Sequence, residues 1–187
     1  VMYAQMNATV PVVAKDALGL TSAQLGTLYV LNPLVIVVFQ LPVVSEVAAW
    51  RRTRGLVASA AFWAVSMAVV WGASGAPRLL GVALVGAHLV LRTVGEILHA
   101  PLVASLGSDL GGGADRGTQL SVLEVAKRLG IGTGSAVGGA FFDYGAANLL
   151  WPTLVAVCVA LGLGVLWLER RLAPAENGAD GEGTAIG

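Results

Sequence analysis

Long apolar segments separated by short polar connections make up most of the chain. Five of these segments are long enough to cross a hydrocarbon core of about 30 Å as helices that rise about 1.5 Å per residue. They cover residues 24–45, 55–73, 79–106, 118–142 and 149–168. Residues 1–14 are apolar as well, but they are fewer than the roughly 17 that a span requires. We therefore predict an all-α membrane protein, in which residues 1–172 form a six-helix transmembrane bundle with a truncated first helix.

The distribution of lysine and arginine gives the predicted orientation. One set of connections, together with the tail, carries Arg51, Arg52, Arg54, Arg116, Arg170 and Arg171. The opposite connections carry only Lys15 and Arg78. Because cytoplasmic loops are enriched in basic residues, the richer side is predicted to be cytoplasmic. Both ends of the chain then face the cytoplasm, as an even number of spans requires, and we expect a multi-pass protein of the cell membrane.

The connections and the tail have recognisable local chemistry. LGLTSAQLG (18–26) predicts an external loop in which Thr21 or Ser22 caps the next helix. GSDLGGGADRG (107–117) predicts a polar, glycine-rich loop. The segment APAENGADGEGTAIG (173–187) has the composition of a disordered cytoplasmic tail.

Composition excludes several classes of protein. Only 12% of the residues are charged, about half the share in soluble domains, which is about 25%, and the mean hydropathy is +0.79. A net charge of zero leaves no basic face for nucleic acid. The single cysteine, Cys158, cannot form an internal disulfide, and no Cys/His spacing or nucleophile with a partner base is evident. We expect a protein that is not an enzyme and needs neither a metal nor another cofactor.

Ionisable residues interrupt two of the apolar segments. They are Arg92, Glu96 and His99 within LVLRTVGEILHAPL (89–102), and Glu124, Lys127 and Arg128 in the next segment. A charge at bilayer depth costs at least about 2.5–3.5 kcal/mol, so such residues face the protein interior or a water-filled cavity. The segments 55–73 and 149–168 contain no charged residue and can face lipid. The sequence therefore predicts that the two charged helices are inner and the two uncharged helices outer.

Spacing places the ionisable residues on defined helix faces. Offsets of four and seven residues put Arg92, Glu96 and His99 on one face, and Glu124 and Arg128 are also four apart. Glu96 and Arg128 each lie about 12 residues, or roughly 18 Å, from the loop that joins the two helices.

Two roles for these charges fit their spacing. In the first, these residues, with His99, belong to a proton-coupling or substrate pathway. Glu96 is then held by Arg92 in one state and by Arg128 in another, and its protonation couples transport to protons. In the alternative, the charges form a static network that fixes helix register. We interpret His99 as a gate or hydrogen-bonded residue, and Lys127 as a snorkelling side chain.

Other polar residues within the segments are candidates for lining a cavity. They are Tyr3, Gln5, Asn7, Asn32 and Gln40, and each can equally form a simple hydrogen bond between helices. The run GIGTGSAVGG (130–139) lacks the preceding strand and the Gly-Lys-Ser/Thr ending of a phosphate loop. Its small residues at 130, 134 and 138 share one helix face, which predicts close packing against another helix.

Three stretches resemble the C-terminal half of a major facilitator superfamily transporter, most closely the drug:proton antiporter branch. LGLTSAQLGTLYVLNPLVIVVFQLPV (18–43) resembles the connection into the family's eighth helix and that helix itself. GEILHAPLVASLGSDL (95–110) resembles the end of the tenth helix. DRGTQLSVLEVAKRLGIGTGSAVGGAFFDYG (115–145) resembles the eleventh, with its Arg-Gly entry and Asp-Tyr-Gly exit.

The resemblance implies a fold, an activity and partners. The fold is one six-helix half of the transporter, in which the fourth helix lines the cavity and the third and sixth lie outside. The activity is alternating-access transport of a small organic solute, with proton-coupled efflux as the specific expectation. The implied partners are the lipid bilayer, the solute, protons and an N-terminal six-helix half. The alternatives are a solute:proton symporter, a uniporter, and a non-transporting scaffold or half-size subunit.

Overall fold

The chain folds as a set of helices packed side by side. The computed structural model describes residues 2–109, 116–173 and 177–178, and contains no strand within them. The helices are α1 (Met2–Ala8), α2 (Val10–Val12), a π-helical turn (Val13–Ala17), α3 (Ser22–Tyr29), α4 (Leu31–Val47), α5 (Arg52–Ala73), α6 (Arg78–Asp109), α7 (Arg116–Asp143) and α8 (Ala147–Glu169). The all-α prediction is confirmed.

Four helical stretches in the described residues are long and apolar enough to cross a membrane. They are Ser22–Val47, which joins α3 to α4, then α5, Arg78–Gly107 of α6, and α8. The chain therefore has the character of a membrane protein. The stretch formed by α1, α2 and the π-helical turn is not among the four, and neither is α7, whose charged residues and glycines lower its hydropathy. The spans at 1–14 and 118–142 stay predictions.

Helix α5 is the centre of the bundle and packs extensively on both α6 and α8. Trp63, Met67 and Val70 of α5 are buried in a core that also includes Trp151 and Cys158 of α8. The lack of charged residues after the first turn of α5 led to its assignment as an outer, lipid-facing helix. That assignment is incomplete because an uncharged face can be buried against protein as readily as against lipid. One face of α5 is exposed, and the other is the core.

A glycine allows α5 and α6 to approach closely. A Cβ atom on Gly95 of α6 would lie 2.6 Å from the Nε1 atom of Trp63, so only glycine fits against this indole ring. Two hydrogen bonds join the helices here: Ser59 Oγ donates to the carbonyl oxygen of Gly95 at 2.8 Å, and Trp63 Nε1 donates to that of Arg92 at 3.1 Å. These contacts fix the position of α6 at the turn that carries its charged residues.

Helix α7 packs mainly on α1, through its face of small residues. Gln5 Nε2 donates to the carbonyl oxygen of Gly134 at 3.0 Å, and Thr9 Oγ1 donates to Gln5 Oε1 at 2.9 Å. A Cβ atom on Gly138 would lie 2.8 Å from both Gln5 Oε1 and Thr9 Cγ2. The predicted role of this glycine face in close helix packing is confirmed at Gly134 and Gly138.

Local contacts finish the ends of the helices. Thr21 caps α3 in a reciprocal arrangement with Gln24, which confirms the first of the two predicted caps. At the other side of the bundle, Glu169 Oε2 accepts a hydrogen bond from Arg54 Nε at 3.0 Å, and this pair joins α8 to the first turn of α5.

The predicted disordered tail contains a docked residue. Asn177 is buried, its Oδ1 accepts from the backbone N–H of Thr53 at 3.0 Å, and its Nδ2 donates to Thr53 Oγ1 at 2.9 Å. It thus satisfies an N–H group in the first turn of α5, where the helix has no partner of its own. Disorder is therefore the wrong prediction for Asn177, and residues 174–176 and 179–187 lie outside the described residues.

We predict that Gly138→Ala destabilises the protein by about 1–3 kcal/mol because the added methyl group overpacks the α1–α7 contact. Gly139→Ala is the matched control, since a Cβ atom there meets nothing within 4 Å. The control should leave stability unchanged or raise it slightly, as alanine is the better helix former. Thermal unfolding of the two variants in nanodiscs measures the difference, and equal stabilities would contradict the packing described.

Candidate functional site

The most buried charge in the described part of the chain is Arg92, in the middle of α6. Arg92 is 5% exposed, and its Nη1 atom lies 3.1 Å from Oε2 of Glu96, one helical turn further on. The Glu96 side chain is 28% exposed, so the pair runs from the core towards a more open region. The guanidinium carbon of Arg92 also lies 5.3 Å from the centre of the Tyr3 ring. Arg92 is thus held by a carboxylate and an aromatic face together.

An aromatic cluster lies beside this ion pair. The His99 ring centre is 4.7 Å from that of Trp63 and 6.5 Å from that of Tyr3. Tyr3 and Trp63 meet edge to face, with their ring centres 5.7 Å apart. The face of α6 that carries Arg92, Glu96 and His99 is therefore covered at both of its ends by aromatic groups from other helices.

Glu124 pairs with two neighbouring cations of α7. Glu124 Oε1 lies 3.0 Å from Arg128 Nε, and Glu124 Oε2 lies 3.7 Å from Lys127 Nζ. The Arg128 side chain is 77% exposed, and among the described residues no ion pair joins it to Glu96. The structure thus holds Glu96 on Arg92, whereas the pairing of Glu96 with Arg128 belongs to a second state that stays a prediction.

Lys127, predicted to be a snorkelling residue, approaches the site. Its Nζ lies 5.5 Å from the centre of the Tyr3 ring. The sequence contains a signal for this placement, because Leu120, Leu123, Lys127 and Gly130 recur at intervals of three and four residues and so share one helix face. All four line one cavity, which lies between α6, α7 and α8. Arg128 lies about 100° further round the helix and does not line it.

That cavity has a volume of about 550 Å³ and lies between α6, α7 and α8. Val103 of α6, Leu123 of α7, and Val157 and Leu161 of α8 form apolar walls. The cavity exists because α7 packs on α1 and makes few contacts with α8, so the two helices do not close on each other. Its volume falls within the roughly 300–1,000 Å³ that is usual for small-molecule pockets.

Polar and aromatic groups also line the cavity. Tyr3, Trp63 and His99 line it from one side, and Glu124 and Lys127 line it from α7. The chain therefore presents an apolar space with a few converging polar groups, which is the general character of a binding site for a small molecule.

The remaining predicted cavity residues have other positions. Gln5 is buried between α1 and α7, as described above, and Asn32 Nδ2 donates to Thr93 Oγ1 at 2.8 Å, which joins α4 to α6. Both make the interhelical hydrogen bonds that were the alternative interpretation. Asn7 and Gln40 are exposed on the helix surfaces. Of the five predicted residues, Tyr3 lines the cavity between α6, α7 and α8.

Sequence reasoning missed His88, which is fully buried one turn before Arg92. Its Nδ1 lies 3.0 Å from the carbonyl oxygen of Ser66 and 3.1 Å from Ser66 Oγ, so the proton belongs on Nδ1. Nε2 has no hydrogen-bond partner among the described residues. The offset of four residues from Arg92 places His88 on the same side of α6 and was available as a signal.

Comparison of the chain with protein-family models, curated proteins and solved structures found no match. Within the described residues, no group of three or more histidine, cysteine, aspartate or glutamate side chains is arranged to hold a metal ion. The functional interpretation therefore depends on the chemistry of the Arg92–Glu96 pair and of the adjacent cavity.

Two neighbouring residues of α8 test whether water reaches the cavity. Val157 is 37% exposed and lines it, whereas Cys158 is 1% exposed and belongs to the core with α5. We predict that a small charged methanethiosulfonate reagent modifies Val157→Cys, made in a Cys158→Ala background, at least about tenfold faster than it modifies the native Cys158. The rates of modification are measured by mass spectrometry on the protein in nanodiscs. Equal rates at the two positions would show that the cavity is closed or that the α5–α8 interface is open.

Proposed function

We propose that the chain is one of the two membrane-embedded halves of a secondary transporter that moves a small organic solute by alternating access. The observation that carries the proposal is the Arg92–Glu96 ion pair, a buried arginine and a partly exposed carboxylate in an apolar helix beside a cavity of small-molecule size. Ionisable residues inside membrane helices are costly, and they are characteristic of solute and proton pathways.

The geometry of the pair supports a coupling role for Glu96. Its carboxylate is the only ion-pair partner of Arg92 among the described residues, and it lies on the more open side of the pair. Protonation of Glu96 would leave the Arg92 guanidinium buried without a counter-ion, which is strongly unfavourable. Protonation therefore favours a conformation in which Arg92 finds a new partner or water, and this is the link between proton binding and conformation that coupled transport needs.

The resemblance to the C-terminal half of a major facilitator superfamily transporter makes the proposal more specific. It favours proton-coupled efflux across the cell membrane, with both ends of the chain cytoplasmic and a six-helix N-terminal half as the partner. A symporter of the same fold uses the same residues, and a uniporter does not need the protonation of Glu96. These alternatives differ in the effect of a pH gradient on flux.

A static scaffold is the second candidate, and one observation favours it. Arg92–Glu96 and Glu124–Arg128 both join residues four apart on a single helix, so neither pair by itself requires helices to move. On this account the charges stabilise individual helices, and no solute crosses the membrane.

We predict that Glu96→Gln, in the complete transporter containing this chain, abolishes flux driven by a pH gradient and leaves solute exchange at equal pH measurable. The reason is that the amide can occupy the same space but cannot gain or lose the proton. Flux into proteoliposomes of a panel of labelled organic cations, anions and neutral solutes is the measurement.

Glu46→Gln is the control for this experiment, because Glu46 is an exposed carboxylate at the end of α4 and is remote in sequence from both charged helices. It should leave gradient-driven flux unchanged. Gradient-driven flux that survives in folded Glu96→Gln protein contradicts the coupling role. The absence of flux for every solute with the unaltered protein would favour the scaffold.

A further inference from the structure

The cavity between α6, α7 and α8 is lined by two chemically different sets of residues. Val103, Val157 and Leu161 give it aliphatic walls. The polar groups that reach it from α7 are Glu124 and Lys127, which lie 3.7 Å apart, and Lys127 Nζ lies 5.5 Å from the Tyr3 ring centre; we call these three residues the polar end. A molecule that fits both sets has an apolar body and one polar head group, because a wholly polar solute would lose its hydration against the aliphatic walls.

The charges at the polar end have an excess of one cation. Glu124 supplies one carboxylate for two cations: its 3.0 Å contact is with Arg128, and its contact with Lys127 is longer, at 3.7 Å. Arg92 and Glu96 balance each other as a separate pair. Lys127 is the cation that faces the cavity, and an ammonium group has three donors, of which the contact with Glu124 uses at most one.

The aromatic group at this end also disfavours a cationic solute. The Tyr3 ring has two protein cations near its face, with Arg92 Cζ at 5.3 Å and Lys127 Nζ at 5.5 Å from its centre. An organic cation would meet a π-face that is already used and would be repelled by Lys127. An anion would be attracted by Lys127, since Glu96 already balances the charge of Arg92.

We propose that this cavity binds an amphipathic organic carboxylate, with its apolar body between the aliphatic walls and its carboxylate on Lys127. This rests on the proposed function in one respect, because it assigns the solute class of the transporter. The cavity volume of about 550 Å³ accommodates a single-ring or short-chain body of this kind.

Binding of three matched probes tests the proposal. The full protein in nanodiscs of zwitterionic lipid is titrated with tritiated 4-phenylbutanoate, with the corresponding ammonium compound, and with the corresponding alcohol. We expect the carboxylate to bind at least about tenfold more tightly than the ammonium compound, as a charge-assisted hydrogen bond and the net charge together imply. Equal affinity for the two charged probes, or tighter binding of the ammonium compound, would overturn the proposal.

Substitutions at the polar end identify the residue responsible. Lys127→Gln should weaken binding of the carboxylate probe about tenfold and leave binding of the alcohol unchanged. Lys127→Arg should keep the affinity for the carboxylate probe. Glu124→Gln should strengthen carboxylate binding, because it removes the competing anion. The chain's other lysine, exposed Lys15, supplies the matched control Lys15→Gln, which should change nothing. If Lys127→Gln weakens binding of all three probes equally, and Glu124→Gln does not strengthen carboxylate binding, Lys127 has a structural role only and the assignment is wrong.

Two further arms separate this inference from its competitors. If nanodiscs containing one third anionic phospholipid abolish binding of the carboxylate probe, a lipid is the occupant and the proposal is wrong; unchanged affinity supports a solute. Flux measured for the same probes distinguishes the two proposals. Carboxylate binding without flux of any solute would remove the transport function and leave the site, and flux of other solutes without carboxylate binding would remove the site and leave transport.

Discussion

The burial of the Arg92 guanidinium is the constraint on which the other features of the site depend. Arginine stays charged in proteins, so its charge must be met where it lies. Glu96 meets it from one turn away at 3.1 Å, and the Tyr3 ring covers it from α1. Trp63 binds the backbone of the same residue, and Gly95 makes room for that indole ring. A single charge thus requires specific residues on three helices.

The cavity follows from the way in which α7 is held. Gln5, Thr9 and the glycine face of α7 join that helix to α1, which also carries Tyr3. Helix α8 is held by α5 and, at its end, by the contact between Glu169 and Arg54. Because α7 and α8 are attached to different partners, a gap remains between them, and one wall of that gap is the charged face of α7. The helix packing therefore leaves a gap at the place where charged residues of α7 lie.

Much of this arrangement could be predicted from the sequence, and the failures have physical reasons. Hydropathy predicts helices, and spacing predicts which residues share a face, as with the glycines at 134 and 138. Equal depth in two helices says nothing about rotation around their axes, so it could not show that Lys127 rather than Arg128 faces the cavity. Average composition likewise could not show that Asn177, within a polar tail, docks on Thr53. The absence of charge predicted lipid exposure for α5, but it cannot distinguish lipid from protein as the apolar environment.

The most direct test of the central claim is a double-mutant cycle on the ion pair. Arg92→Gln, Glu96→Gln and the double variant are compared with the unaltered protein by unfolding in nanodiscs. If the pair holds a buried charge, Glu96→Gln should cost about 3–5 kcal/mol, since it leaves Arg92 uncompensated, and the double variant should recover much of that loss. The expected coupling energy is at least about 1 kcal/mol. Additive effects of the two substitutions would contradict the account, because they would show that Arg92 and Glu96 do not depend on each other.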